Sequence, residues 1–600
     1  MEINTLNDVY FAVVGRDLDR VMMVRREGVW TPVSAAQLRR WVLSMSRQLQ
    51  AWGIGKGDRV VLLSENRPEW AVTDFASLLL GAIVVPIYAT QTAEQVLYVL
   101  QHSEARIAVV SSRKQFEKVE SVRTGSKLER IVVMDEVEDM PDVPQLRYVL
   151  NGPDQVEDAA IEAFAHSIQP DDVATLIYTS GTTGTPKGVI LTHGNIASNL
   201  SVTAELVDIG PEDTGISFLP LSHITARHVD YLMFFRGVII AYCANFEDLP
   251  RTLLEIRPTL FIGVPRVYEK VHNQVLLKME GVKRKIFDWA LAVGRKYRDQ
   301  VLNDETPRAL SWKLANRLVY SKIREGVGGR ARLFISGGAP LGRELAAWYA
   351  DLGVRIDEGY GLTETSPVIA VNVPASHRLG TVGKVLNNLE VKIATDGEVL
   401  VRGPSVFKGY WNMPEETAAS FEEDWFKTGD IGQLDHDGYL SITDRKKDLI
   451  KTSGGKFIAP QPIENSFKAN VFVGEAAVVG DKRKFASVLI VPNFPVLEEW
   501  AVAHDISFSS REKLVRSPQV RALYQGVVDE LNANLAQFEK LKKFLLLPEE
   551  LSIADGTLTP SMKLRRRHLE QRYHRQIEAM YTEEQTPARA ERAVAEQARR

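Results

Sequence analysis

Tyr178-Thr-Ser-Gly-Thr-Thr-Gly-Thr-Pro-Lys-Gly188 lies between two apolar runs of β character, VATLIY before it and VILTH after it. Glycines and small hydroxyl residues let backbone N–H groups approach an anion closely, and a lysine adds a positive charge. Thr179, Ser180, Gly181, Thr182, Thr183, Gly184 and Lys187 therefore read as a cradle for phosphate oxygens. The rival reading is the Walker A loop, G-x-x-x-x-G-K-[ST], and it does not fit. Pro186 replaces the glycine before the lysine, and Gly188 stands where the Mg²⁺-binding hydroxyl belongs. A β-branched run comes next, where a Walker A loop opens a helix.

Outward from this loop the first half of the chain alternates helix and strand. Ala35–Trp52 has the spacing of an amphipathic helix, Arg59–Leu63 of a buried strand, Trp70–Leu80 of a helix and Ile83–Tyr88 of a strand. Glu94–Gln101 and Ile107–Ser111 repeat the pattern. Helices between strands imply right-handed crossovers and mostly parallel sheets covered on both faces, so the fold class is α/β. Between Val282 and Val327, Leu314, Ala315, Leu318 and Val319 recur at helical spacing and predict helices packed on a sheet. From Glu390 to Thr443 the pattern changes to short β runs (VKIA, EVLVRG, YLSIT) between Gly, Asp and Asn turns, a small antiparallel, barrel-like subdomain. A charged stretch, Asp444-Arg-Lys-Lys-Asp448, precedes a smaller α+β unit with strands at Ala476–Gly480 and Ser487–Val491. The expected division is a large unit over 1–444, a small one over 445–581 and a frayed or flexible tail over 582–600.

At 600 residues the chain exceeds one ordinary core. Lys plus Arg (73) nearly balance Asp plus Glu (77), and no basic cluster interleaved with aromatics points to nucleic acid. A single cysteine, Cys243, excludes an intramolecular disulfide framework and fits a reducing cytoplasm. The opening MEINTLNDVYFAVVGRD shows no basic n-region followed by an apolar h-region, so a secretory signal is not expected. The uncharged apolar run Phe75–Thr90 and the broken run Leu232–Cys243 both fall short of the roughly 20 residues a spanning helix needs. Peripheral contact with a membrane stays open.

Three further segments carry chemistry. Asp357-Glu-Gly-Tyr-Gly-Leu-Thr-Glu-Thr-Ser-Pro367 offers an aromatic face for a purine at Tyr360, a hydroxyl at Thr363 and a carboxylate able to hold Mg²⁺ at Glu364. Upstream, Ser336-Gly-Gly-Ala-Pro340 ends a β run with backbone able to lie against a planar base. Phe426-Lys-Thr-Gly-Asp430, with Arg445 beyond it, supplies a carboxylate suited to two vicinal hydroxyls, although alone it reads as a structural turn. Leu558-Thr-Pro-Ser-Met-Lys563 opens a basic run. Alone that run reads as a solvated helix, yet a lysine there close to a phosphate contributes on the order of 4 kcal/mol at an effective dielectric of about 20.

The four segments, in this order, resemble those of the adenylate-forming enzymes: acyl-CoA synthetases, luciferase and the adenylation domains of peptide synthetases. The resemblance spans roughly Ala35 to Arg567. Phe218-Leu-Pro-Leu-Ser-His223, Gly263-Val-Pro-Arg-Val-Tyr-Glu-Lys270 and Asp444-Arg-Lys-Lys-Asp-Leu-Ile-Lys-Thr-Ser-Gly-Gly-Lys456 look like the long-chain fatty acid branch. The resemblance implies ATP, Mg²⁺ and coenzyme A acting on a fatty acid, with a small domain that moves as a lid. It places Lys563 on the attacking carboxylate and α-phosphate, with Thr363 and Glu364 beside the phosphates and Glu364 on Mg²⁺. Gly338, Ala339, Glu358, Gly359, Tyr360 and Gly361 would border the nucleotide, with Asp430 on the ribose and Arg445 beside it. His223 would sit near the substrate carboxylate, although alone such a histidine reads as structural. Lys447 would be the hinge, and Ser453, Gly454 and Gly455 would line the coenzyme A channel after rotation. Many relatives carry Asn where this chain has Phe457. A fatty acyl-AMP ligase that loads a carrier protein, and a non-catalytic nucleotide-binding regulator, are the other readings on the same fold.

Overall fold

The computed structural model describes residues 3–140, 142–150, 157–180, 185–552, 555–559 and 564–582. Gly181, Thr182, Thr183, Gly184 and Lys563 of the expected site, and residues 583–600 of the expected tail, lie outside the described residues.

Ser34 accepts the N–H of Gln37 and starts the helix Ala35–Ala51, whose Leu38, Val42, Met45 and Leu49 turn to the core. Pro68, preset for a first helical turn, starts the next helix, Pro68–Leu79, two residues earlier than the apolar spacing predicts. Between and beyond them run a seven-stranded sheet's parallel strands Arg59–Leu63, Ile83–Ile87, Ile107–Val110 and Arg130–Val133. Val173–Ser180 joins this sheet parallel to Ile83–Ile87, then turns back as the antiparallel strand Pro186–Thr192. Gly409–Tyr410, far along the chain, closes the edge beside Pro186–Thr192.

A nine-stranded sheet has a parallel centre of Thr214–Ser217, Leu260–Gly263, Leu333–Ser336 and Asp357–Gly361. Because these strands share a direction, the segments that leave their C-terminal ends gather at one edge: Phe218–His223, the Val264–Pro265 turn, Gly337–Pro340 and the Thr363–Thr365 turn. That edge is where open α/β sheets bind ligands. One apolar core packs both sheets together and extends to Phe426 and Leu440 of a five-stranded antiparallel sheet. A second core begins at Ile450 and fills a three-stranded sheet with its helices, ending at Met580.

One expectation needs correction. Ala315 and Val319 are buried, but Leu314 and Leu318 face solvent, and this helical stretch rests on helices Gly281–Leu302 and Arg343–Asp351, not directly on a sheet. The crossing is close: a Cβ on Gly294 would lie 1.9 Å from the Asp351 carbonyl oxygen. Helical spacing identifies an apolar face without saying which face is covered.

Candidate functional site

The hairpin that carries the glycine–threonine loop is braced from helix Ala93–Ser103. The Tyr98 hydroxyl donates to the Pro186 carbonyl at 2.8 Å, and His102 Nδ1 lies 2.9 Å from the Tyr178 hydroxyl. In the hairpin register Thr179 faces Lys187 and Ser180 faces Pro186. Tyr410 pairs with Val189, two residues from Lys187 on the same face, so the Lys187 and Tyr410 side chains are diagonal neighbours. Lys187 Nζ stands 5.0 Å from the centre of the Tyr410 ring. The Tyr410 hydroxyl in turn donates to Glu364 Oε1 at 3.0 Å, and the Phe407 N–H donates to the Glu364 carbonyl at 2.8 Å. Lys187 of the glycine–threonine hairpin and the carboxylate of the 357–367 segment are thus joined through one tyrosine.

Glu364 stands on the short turn Thr363–Thr365. Thr365, not Thr363, holds that turn: its hydroxyl accepts the Leu362 N–H at 3.0 Å and donates to the Pro367 carbonyl at 2.6 Å. Thr363 is buried at the turn's first position. Crowding by surrounding protein raises the Glu364 carboxyl above its ordinary range, with the Tyr410 hydrogen bond and Arg445 opposing that shift. An arriving cation would therefore bind a carboxylate made basic by its surroundings.

Tyr360, four residues earlier, donates its hydroxyl to Asp430 Oδ2 at 2.8 Å. Arg445 is the cross-strand partner of Asp430, and its Nε lies 3.3 Å from Oδ1. Asp430 is 4% exposed, whereas the Arg445 side chain is half-exposed. Asp430 belongs to the ten-residue strand Trp425–Leu434, where the sequence alone suggested a turn.

Gly361 has a steric reason to be glycine, since a Cβ there would lie 1.7 Å from the Pro367 carbonyl oxygen. Gly338 takes the left-handed conformation at φ 81°, turning the chain after strand Leu333–Ser336 so that Ala339 comes next at the sheet edge. Gly359 pairs with Val371 across the adjoining strand. Glu358 turns away from the cleft: its Oε2 accepts the Leu341 N–H at 3.2 Å, behind the Gly337–Pro340 loop, and burial pushes its carboxyl up to about 7. It braces that loop from behind, so a direct side-chain contact with the nucleotide is not the role its geometry supports.

His223 is the N-cap of helix Ile224–Arg236, with Nδ1 accepting the Thr225 N–H at 3.2 Å. One turn further along that helix is a residue the sequence reading missed. Arg227 is fully buried; it pairs with Asp74, donates from Nε to the Tyr231 hydroxyl at 2.7 Å and from Nη1 to Thr175 Oγ1 at 2.8 Å. It therefore ties the His223 helix to the strand that leads into the glycine–threonine loop. A charged residue four positions after His223 inside an apolar helix was the available signal. Tyr410, in Lys408-Gly-Tyr-Trp411, gave none beyond its aromaticity.

The small unit meets the large one through several polar contacts. Buried Asp444 accepts the Gln461 N–H at 2.9 Å, at the start of helix Pro460–Lys468, and burial raises its carboxyl to about 6. Lys468 lies 3.2 Å from Glu269 and 3.8 Å from Glu475, while Arg266 lies 3.2 Å from Glu475. Partial burial and the neighbouring Arg445 disfavour the charge on Lys447. Ser453, Gly454 and Gly455 form an exposed turn between strands Ile450–Lys451 and Phe457–Ile458, with Gly455 at φ 77° and the Ser453 N–H bonded to the Arg483 carbonyl. Phe457 is 56% exposed. Among the described residues no group of three or more His, Cys, Asp or Glu forms a ready-made metal cage.

The family model for the AMP-binding enzyme matches residues 11–411, and that for the AMP-binding enzyme C-terminal domain matches 447–585. The long-chain-fatty-acid–CoA ligase FadD15 of Mycobacterium bovis is 36% identical, covering 93% of this chain and 94% of that protein. The long-chain-fatty-acid–CoA ligase ACSBG2 of Xenopus laevis is 32% identical, covering 97% and 84%. Among solved structures, the adenylation domain of a carboxylate reductase from Mycobacterium chelonae superposes with a TM-score of 0.75 at 22% identity, covering 96% and 91%. The anthranilate CoA ligase AuaEII bound to anthranoyl-AMP gives 0.72 at 19%, covering 95% and 98%. These two structures share its fold. Since the two family models fall on the two units described above, the chain belongs to the AMP-binding enzyme family.

Proposed function

We propose that this protein joins a long-chain fatty acid to coenzyme A through an acyl-adenylate, with ATP as the source of the AMP group. One observation carries the reading: residues 360–364 bond on one side to Asp430, itself beside Arg445, and on the other to Tyr410, itself beside Lys187. A carboxylate suited to ribose hydroxyls and a cation suited to phosphates are thereby linked through one short segment, which supports a nucleotide lying along it. The activity named for the two relatives above supports the choice of acid and acceptor.

In the first step a carboxylate oxygen attacks the α-phosphorus, and the bond to the pyrophosphate oxygen breaks. Attack of one anion on another needs positive charge and fixed donors around both. Lys187 and the backbone of the 179–187 loop serve the phosphates, Lys563 reaches the reacting atoms, and His223 lies on the acyl side. Mg²⁺ takes one or two carboxylates together with phosphate oxygens and water, so the single carboxylate of Glu364 fits its needs, and the ion when bound would neutralise charge on the departing pyrophosphate. In the second step the coenzyme A thiolate attacks the acyl carbonyl carbon and AMP leaves. For that step residues 445–581 turn as a lid about Lys447, withdrawing Lys563 and bringing Gly454 and Gly455 to the channel. A cytoplasmic location with peripheral contact to a bilayer belongs to the same reading, because long-chain acids partition into lipid.

Pyrophosphate release measured over fatty acids of increasing length, with and without coenzyme A, tests the proposal. Turnover that requires ATP and rises with chain length and coenzyme A is the expected result. Stoichiometric acyl-adenylate with coenzyme A ignored would point to carrier loading, and no pyrophosphate with any acid would end the reading.

A further inference from the structure

The outer face of the helical layer over residues 281–325 combines two features that soluble surfaces rarely put together. Val282, Ile286 and Trp289 recur at helical spacing along Gly281–Leu302 and are exposed, Val282 by 73%. Leu310, Leu314 and Leu318 do the same along the next helical stretch, Leu310 by 83%. Both stretches bury their opposite faces in one shared cluster, where the Tyr320 hydroxyl donates to the Ala290 carbonyl at 2.6 Å. Their apolar stripes consequently face solvent.

Charge tells what covers such a face. Residues 281–325 hold eleven Lys and Arg against five Asp and Glu, in a chain whose net charge is -4. Arg284 pairs with Asp288, and Arg295 and Arg298 pair with Asp351. Exposed Lys283, Lys285, Lys296, Lys313, Arg317 and Lys322 form no ion pair among the described residues. Leucines interleaved with unneutralised lysine and arginine fit an acyl–headgroup boundary carrying negative charge, and they suit a second acidic copy of this chain less well, because its matching face would be equally basic. Among the described residues no helix is long and apolar enough to cross a membrane, so the contact would be along the surface.

We propose that this layer docks the protein on anionic phospholipid bilayers, with Leu310, Leu314 and Leu318 entering the interface and Lys313, Arg317 and Lys322 on the headgroups. The inference deepens the peripheral bilayer contact of the proposed function by naming its surface, and its test reads binding without turnover. Flotation of the full chain with vesicles of phosphatidylcholine, or of phosphatidylcholine with about a third phosphatidylglycerol, tests it. The protein is expected to float with the second vesicles, to stay behind with the first, and to be released by salt. Replacing Lys313, Arg317 and Lys322 together by Gln is expected to weaken binding on the order of a hundredfold, at about fivefold per charge. Leu310→Ser with Leu314→Ser and Leu318→Ser is expected to weaken it more than about tenfold. Both variants change exposed side chains, so their melting midpoints should match the parent protein. Flotation unchanged in both variants, or no flotation on either vesicle, overturns the proposal. A dimer in sedimentation that the serine variant abolishes, with vesicles ignored, would overturn it in favour of an interface between copies.

Discussion

Tyr360→Phe removes one hydroxyl and leaves the aromatic face in place, so it separates the two duties assigned to this residue. The lost hydroxyl donates to Asp430 Oδ2 at 2.8 Å, while Arg445 approaches the other oxygen at 3.3 Å from a half-exposed position where water screens it. A hydrogen bond to an ionised acceptor contributes about 1.5–3 kcal/mol, and with Asp430 only 4% exposed, water does not readily replace the donor. If Asp430 holds the ribose hydroxyls, losing the Tyr360 donor relaxes the orientation they need. The KM for ATP in ATP–pyrophosphate exchange should then rise roughly tenfold to a hundredfold, which is the same energy expressed as binding, while the KM for the fatty acid stays where it was. Asp430→Asn should weaken ATP binding by a similar factor. The double variant should lose far less than the two singles combined, with a coupling of about 1–3 kcal/mol. A lower melting midpoint with an unchanged KM for ATP would make the hydroxyl a brace of the fold. Additive effects of the two substitutions, or an ATP KM within about twofold of the parent, would refute the ribose assignment.

Lys468→Met should loosen the contact between the two units, since Lys468 stands between Glu269 and Glu475. A loss of about 1–2 kcal/mol changes the balance of arrangements by a factor of roughly 5–30. The glycine turn is exposed in the arrangement seen, so adenylate formation should slow by such a factor while thioester formation from supplied acyl-adenylate does not; equal slowing of both steps counts against the latch. Lys563→Ala should abolish adenylate formation and spare thioester formation from supplied acyl-adenylate, and parallel loss of the two would refute alternation of the small unit. Burial raises Glu358 to about 7, so the folded protein binds its proton more tightly than the unfolded chain does. The associated stability is full below the ordinary carboxylate range and is lost as pH rises through about 7, a decline of about 3 kcal/mol. Glu358→Gln carries no titrating group, and its urea midpoint should fall less between about pH 5 and about pH 8 than that of the parent; parallel curves would show that Glu358 is not the group responsible.

Where a segment's surroundings are fixed by its own residues, the sequence was sufficient. Arg59–Leu63 is a strand with the expected bounds because a continuous apolar run after a Gly57-Asp58 turn has no amphipathic face to offer a helix. Ala35–Ala51 ends within one residue of expectation because Ser34 caps it and its apolar positions keep one period. The strands flanking the glycine–threonine loop were legible for the same reason: VATLIY and VILT are apolar runs that fall within Val173–Ser180 and Pro186–Thr192. What the sequence could not supply are pairs. Lys187 meets Tyr410 only because strand Gly409–Tyr410 is added to the edge of a sheet whose other strands end by Thr192, and Arg227 meets Asp74 across 153 positions. A single sequence holds no record of which residues share a register. The same limit explains Asp430, read alone as part of a turn. Its Gly429 does take a left-handed φ of 72°, as a turn glycine would, yet the residues around it pair with strands Glu398–Arg402 and Leu440–Arg445. Ladder hydrogen bonds contributed by neighbours overrode a local preference. They also aim the carboxylate at Tyr360, so the feature that local reasoning undervalued is the one that joins the small antiparallel sheet to strand Asp357–Gly361.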